Sequence, residues 1–124
     1  MKDIETRSDL EHLLNEFYKI AITDREIGHH FDDLDLISHL PVIVDFWEKI
    51  LFKKPVYFGN PMAAHQTLHQ KSPLKLEHFQ RWIEIFNATV DAHFKGEQAE
   101  NAKSRAKMIA HSLNGQLNPI KIAR

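Results

Sequence analysis

Leu10, Leu13, Leu14, Phe17, Tyr18 and Ala21 recur at three- and four-residue spacing, the period of an amphipathic helix, and predict one from about Asp9 to Ile22. Ser8, with Glu11 three residues on, reads as its capping box. Asp24 is placed to cap a short turn through Ile27 and Gly28 to end it. That leaves Gly28 to Asp35, with the pair His29-His30, as loop or short helical turns. The apolar stripe resumes at about Leu36 with Leu40, Ile43, Val44, Trp47, Ile50 and Leu51, and closes at Lys53-Lys54-Pro55. Pro41 interrupts it. A proline has no N–H for the carbonyl four residues back, so the helix is expected either to start near Leu40 or to kink just after His39. Either outcome puts His39 at a pocket-facing helix start.

Tyr57 to Gly59 reads as loop, and Asn60-Pro61 as a cap followed by proline at the first helical position, opening a short helix through about His69. After Ser72-Pro73, a long helix is marked by Leu76, Phe79, Trp82, Ile83, Phe86, Val90 and Phe94 and is stopped at Gly96. Ala99, Ala102, Ala106, Ile109 and Leu113 mark a last helix from about Glu97 to Leu113, ended at Asn114-Gly115, with a frayed tail over about 116–124. There is no sustained alternation that would make a strand, and no internal repeat. The expectation is one all-α domain over residues 1–124, with short connections.

Composition adds exclusions. Hydrophobic residues make up 43% and charged residues 27%, ordinary for a globular chain, so no segment is expected to be disordered for lack of a core. The net charge of −1 comes from interleaved signs, which offers no basic field to nucleic acid or to an anionic membrane. The absence of cysteine removes disulfides, thiolate metal sites and cysteine nucleophiles. Met1 to Glu11 lacks the apolar core of a signal peptide, and nowhere do about 18 apolar residues run together, so a cytoplasmic location is expected. Nine histidines and eight phenylalanines stand against four glycines, a balance that suits a helical protein with an apolar pocket and a task for imidazole.

Phe17, Tyr18, Phe46, Trp47, Phe79, Trp82, Phe86 and Phe94 all fall on or beside the apolar faces, where they would equally serve as an ordinary Phe-rich core. His65 follows Ala63 and Ala64, with Leu68 a turn later, small neighbours that let a flat ligand approach. His65 and His69, four apart, could instead chelate zinc or a non-haem iron from one helix face. Such a site needs further ligands. Glu11-His12 and Glu77-His78 are adjacent pairs on different faces, not the repeated Glu-x-x-His of di-iron bundles. A core histidine, a ligand to a flat cofactor and a chelate all remain open on these residues alone.

The order of elements goes further. Phe17-Tyr18, then His39-Leu40-Pro41 with Asp45-Phe46-Trp47, then Asn60-Pro61-Met62-Ala63-Ala64-His65, then His78-Phe79-Gln80-Arg81-Trp82 resembles the third group of truncated haemoglobins, over about Glu11 to Ala110. The paired glycines of the other truncated groups are missing here, as they are in this one. The resemblance implies a globin-like two-over-two helical sandwich holding one haem b, necessarily non-covalent without a C-x-x-C-H linkage. It implies His65 as the proximal ligand of the iron, Tyr18, His39 and Trp82 on the distal side, and His39 as either a gate or a ligand contact. Phe17, Ile43 and Phe46 match apolar positions near the haem, and Phe86 is counted with them. The implied ligands are oxygen and other diatomic molecules, and a monomer is expected. Peroxidase-like or nitric oxide detoxifying chemistry would need electrons from an unidentified reductase, since no flavin or nicotinamide domain accompanies the chain. Outside haem chemistry, the alternative is a haem-free helical sensor or interaction module. Where relatives often carry Gly-Pro-Ile-Phe, this chain has Gly28-His29-His30-Phe31. These two histidines, with His12, His69, His78, His93 and His111, are expected to be surface or capping residues.

Overall fold

Thr6, two residues before the expected cap, starts the first helix. Its hydroxyl accepts the N–H of Asp9 at 3.2 Å, and the Asp9 carboxylate accepts the N–H of Thr6 at 3.0 Å. The carboxylate also takes the N–H of Glu5 and the ammonium of Lys2. Glu11 has only a long contact to Arg7, so the Asp9 box satisfies more of the orphan donors at this helix end. The computed structural model describes residues 1–55, 57 and 59–119. Among these the helices are α1 (Arg7–Ala21), α2 (Leu36–Phe52), α3 (Pro61–Lys71), α4 (Leu76–His93) and α5 (Glu97–Leu117), with a 3-10 turn at Gly28–Phe31.

Asp24 caps as expected, accepting from the N–H groups of Glu26 and Ile27. Its other oxygen takes two bonds from the Arg81 guanidinium of α4, at 3.0 and 2.8 Å, and that pairing holds the carboxyl below its ordinary pKa. Gly28 opens the 3-10 turn instead of ending a helix. A Cβ there would lie 2.6 Å from the Ile22 carbonyl oxygen, so only glycine lets the chain fold back this closely.

α2 starts at Leu36, not Leu40, and stays helical through Pro41. The N–H that proline lacks would have served the carbonyl of Ile37. That loss is tolerated because Ile37 is 90% exposed, and water reaches the helix there. α3 begins as the sequence suggests, with the Asn60 side chain accepting from the N–H of Ala63 and Pro61 at the first position. α4 stops at His93, leaving Phe94 as a buried cap residue, and its first apolar residue, Leu76, is 52% exposed and not on the core face.

The expected stop at Asn114-Gly115 does not occur. Nothing lies near the position of a Gly115 side chain, so this glycine costs only its intrinsic propensity, and α5 runs on to Leu117. Asn118 fixes the end. Its side-chain N–H groups donate to the Leu74 carbonyl at 2.7 Å and to Asn114 at 2.9 Å. The frayed tail expected from 116 therefore does not begin there, and residues 120–124 of it lie outside the described residues.

α1 packs on α2 and α4 on α5, while α1 also lies against α4 and α2 against α5, which makes two helix pairs stacked one over the other. All six apolar residues picked from the spacing of α1 are buried, with Phe17, Val44, Phe86 and Val90 at the centre. Ala99, Ala102, Ala106 and Ala110 form the buried face of α5, and their small side chains bring its axis close to α4. α3 stands apart: it leans on α5, and none of its residues is fully buried. No helix among the described residues is long and apolar enough to cross a membrane.

The α4–α5 corner is held by an amino-terminal residue. Asp3 accepts the N–H of Gln98 at 2.9 Å and of Ala99 at 2.8 Å, capping α5 from a distance in sequence. Burial raises the Asp3 pKa, but these bonds and the Ile4 N–H outweigh it and keep the carboxyl below its ordinary value. Gly96 has φ +148°, and a Cβ on it would fall 2.5 Å from the Asp3 carboxyl carbon. Gly96→Ala should cost about 2–3 kcal/mol, through backbone strain and the displaced cap, read as a lower urea midpoint.

Candidate functional site

Four helices bring the eight residues singled out above to one place. α1 supplies Phe17 and Tyr18, α2 supplies His39, Ile43 and Phe46, α3 supplies His65, and α4 supplies Trp82 and Phe86. All eight line a single cavity of about 820 Å³, within the range of small-molecule and cofactor pockets. Trp47 and Phe79 of the aromatic set line it as well. Phe94 does not: it packs edge-on against His12.

The aromatic wall is ordered by ring geometry. Phe86 is stacked between Trp47, at 5.1 Å and 16°, and Trp82, at 5.4 Å and 12°. Phe17 meets Tyr18, Trp82 and Phe86 edge-to-face. Such contacts fix each ring against its neighbours, so the wall is preorganised. Tyr18 is held between Phe17 and Phe31, with His39 6.3 Å away. Its hydroxyl has no hydrogen-bond partner among the described residues, and burial pushes its pKa well above the ordinary phenol value, so it stays a neutral O–H donor. The Trp82 indole N–H is likewise without a partner among these residues.

His65 is oriented by its own helix. Its Nδ1 lies 2.7 Å from the Pro61 carbonyl oxygen. A carbonyl only accepts, so Nδ1 carries the proton and Nε2 keeps its lone pair for an electron-deficient partner. The exchange is local, because Pro61 is four residues back in α3 and Ala64 beside it leaves room at the wall. His39, half-buried one turn into α2, has its pKa lowered by burial and then by the nearness of His65, so it is neutral at pH 7.

His69 does not join His65. Its Nδ1 accepts the N–H of Leu74 at 2.9 Å, a cap on the α3–α4 connection. Among the described residues no group of three or more acidic or histidine side chains is gathered to hold a metal ion, so the two-histidine chelate lacks the further ligands it needs.

Residues beyond the eight also reach the cavity. Phe31, Tyr57 and Lys71 line it, as do His29, His30 and His78. His30 corrects the expectation that the remaining histidines lie at the surface or cap helices, being only 8% exposed. The one signal in the sequence was the Gly28-His29-His30-Phe31 departure, which carries no information on burial. His78 does cap, accepting the N–H of Lys75 at 3.0 Å.

Helix order, the stacked pairs and a cavity walled by all five helices define the class: a truncated-globin fold. Comparison with known proteins agrees. The chain is 26% identical over 111 residues to the group 3 truncated hemoglobin ctb of Campylobacter jejuni, covering 85% of each chain. The crystal structure of the group III truncated hemoglobin from Campylobacter jejuni matches with a TM-score of 0.86 at 24% identity, covering 99% of this chain and 100% of that one. No protein-family model matches the chain. The likeness to group III truncated haemoglobins therefore holds in sequence and in fold alike.

Proposed function

We propose that this chain is a haem-binding globin that holds one haem b in the cavity and binds oxygen or another diatomic ligand there. The observation that carries this reading is the convergence of the eight residues on one cavity, with the His65 Nε2 lone pair fixed in its wall by the bond to Pro61. The apolar and aromatic lining suits a flat macrocycle, whose burial contributes roughly 25 cal/mol per Å². When bound, haem supplies an iron with an open position for a diatomic molecule.

His65 is the proximal ligand in this reading, and the Pro61 carbonyl fixes its ring plane and raises its basicity. Tyr18 and Trp82 are the distal donors. Their unpartnered O–H and N–H are already in place, so little reorganisation is needed when a ligand enters. His39 is the gate: neutral and half-buried, it can leave the aromatic wall without breaking an ion pair.

Adding haem to the purified chain, then recording an absorbance spectrum with metal analysis, tests the proposal. One haem iron per chain is expected. Zinc or iron without porphyrin would favour a non-haem metal site, and no haem absorbance after addition would favour a haem-free module. In the loaded protein, Tyr18→Phe should speed oxygen release by about tenfold, the worth of one buried hydrogen bond. An unchanged dissociation rate would remove Tyr18 from the distal set.

A further inference from the structure

Three imidazoles meet at one corner of the cavity. The rings of His29 and His30 have centroids 4.0 Å apart, His30 and His78 4.7 Å, and His29 and His78 5.7 Å. His30 joins the Gly28–Phe31 turn to the α3–α4 connection, because its Nε2 lies 3.2 Å from the Pro73 carbonyl oxygen and must donate to it. Its Nδ1 is therefore the lone pair, and that atom is buried with no hydrogen-bond partner among the described residues. His78, in the first turn of α4, accepts the Lys75 N–H at Nδ1 and so carries its proton on Nε2.

We propose that His29, His30 and His78 form an acid-released latch. Neutral His30, bonded to the Pro73 carbonyl and packed against the His29 and His78 rings, fastens the Gly28–Phe31 turn to the α3–α4 connection and to α4, closing this wall of the cavity. Proton uptake frees the turn.

A proton on the His30 Nδ1 would place a charged N–H at a buried position whose one nearby acceptor, the Ile27 carbonyl, favours it less than burial opposes it. The titratable groups facing His30 are His29 on its own turn and His78 on α4, both of which repel added charge. The nearest acids and bases are engaged elsewhere or exposed. Asp33 pairs with Lys71 at 4.0 Å, Asp32, Lys75 and Glu77 are exposed, and Arg81 is bound to Asp24 and Glu84. Among the described residues no carboxylate is bonded to any of the three rings. Burial first, then the charges of His29 and His78, outweigh the Pro73 and Ile27 carbonyls and keep the His30 pKa below its ordinary value.

The sign follows. A histidine held neutral in the closed state contributes fully above about pH 6.5, its free value, and the contribution erodes as pH falls below that. For a single such imidazole the opening equilibrium at pH 5.5 rises by up to about tenfold.

The experiment is amide hydrogen exchange on the full chain at pH 7.5 and 5.5, corrected for the intrinsic pH dependence of exchange. Opening of residues 28–34 and 72–78 should rise at the lower pH, by at most about tenfold, while core amides of α1 and α5 do not change in step. His30→Gln keeps a side-chain N–H for Pro73 but takes up no proton, and its opening should be independent of pH. A flat wild-type response, or a rise shared by the whole core, overturns the latch. An NMR titration of the His30 ring gives a second arm that needs no variant: a midpoint below 6.5 with the proton on Nε2 supports the latch, and an ordinary or raised midpoint overturns it. Neither arm requires a bound cofactor, so the latch and the haem-binding reading stand or fall separately.

Discussion

With His65 as the proposed iron ligand, His65→Gly should lower haem affinity by at least about 100-fold, since even loss of a residue that merely orients a metal ligand costs 10- to 100-fold. The glycine would open space where the ring stood, so added imidazole is expected to restore the parent spectrum. That rescue separates a lost iron ligand from general damage to α3. The substitution is otherwise mild for the fold, because His65 is only partly buried and the one hydrogen bond it makes among the described residues stays within its own helix. A variant with the unaltered ferrous spectrum would remove His65 from the iron.

Phe86→Ala should be the most damaging single substitution to stability. The ring is wholly buried, stacked on both faces by indoles and met edge-on by Phe17. Truncation leaves a hole between two rigid aromatic plates that cannot close independently of their helices. The expected loss is about 3–5 kcal/mol, with a fall in Tm of about 10 °C or more, measured by chemical and thermal unfolding. A loss under about 1 kcal/mol would show that Trp47 and Trp82 collapse onto each other and that the wall is softer than its geometry indicates.

How much of this was legible beforehand depended on range. The buried face of α1 could be read directly, because its six apolar residues repeat with the helical period and no distant group competes for them. Local chemistry also sufficed for α3, where Asn60 and Pro61 act within their own turn. Boundaries went astray where tertiary contacts decide. Glu11 looked like a capping partner until Asp9 proved to collect Lys2 and two more N–H groups, and Gly115 looked like a stop until Asn118 reached the Leu74 carbonyl. Pro41 is accommodated because the carbonyl it strands faces water.

The site divides the same way. Nothing in spacing brings His65 to Tyr18, 47 positions apart in the chain. Their place on one cavity was expected only through the ordered likeness to a globin family, and the helix stacking now gives it a physical basis. His30 was missed because its burial depends on a carbonyl 43 residues away, a pairing with no local pattern.

Because α3 buries none of its residues completely and leans chiefly on α5, its stability is tied less to the interior than to the contents of the chamber beside it. On the proposed reading the segment bearing His65 would act as a gauge: a well-fitted guest would give it an apolar backing, and any gain in order would be part of the free energy of loading. Affinity in such an arrangement is set partly by how loosely that segment sits beforehand, so substitutions along α3 that touch no guest atom can still tune it.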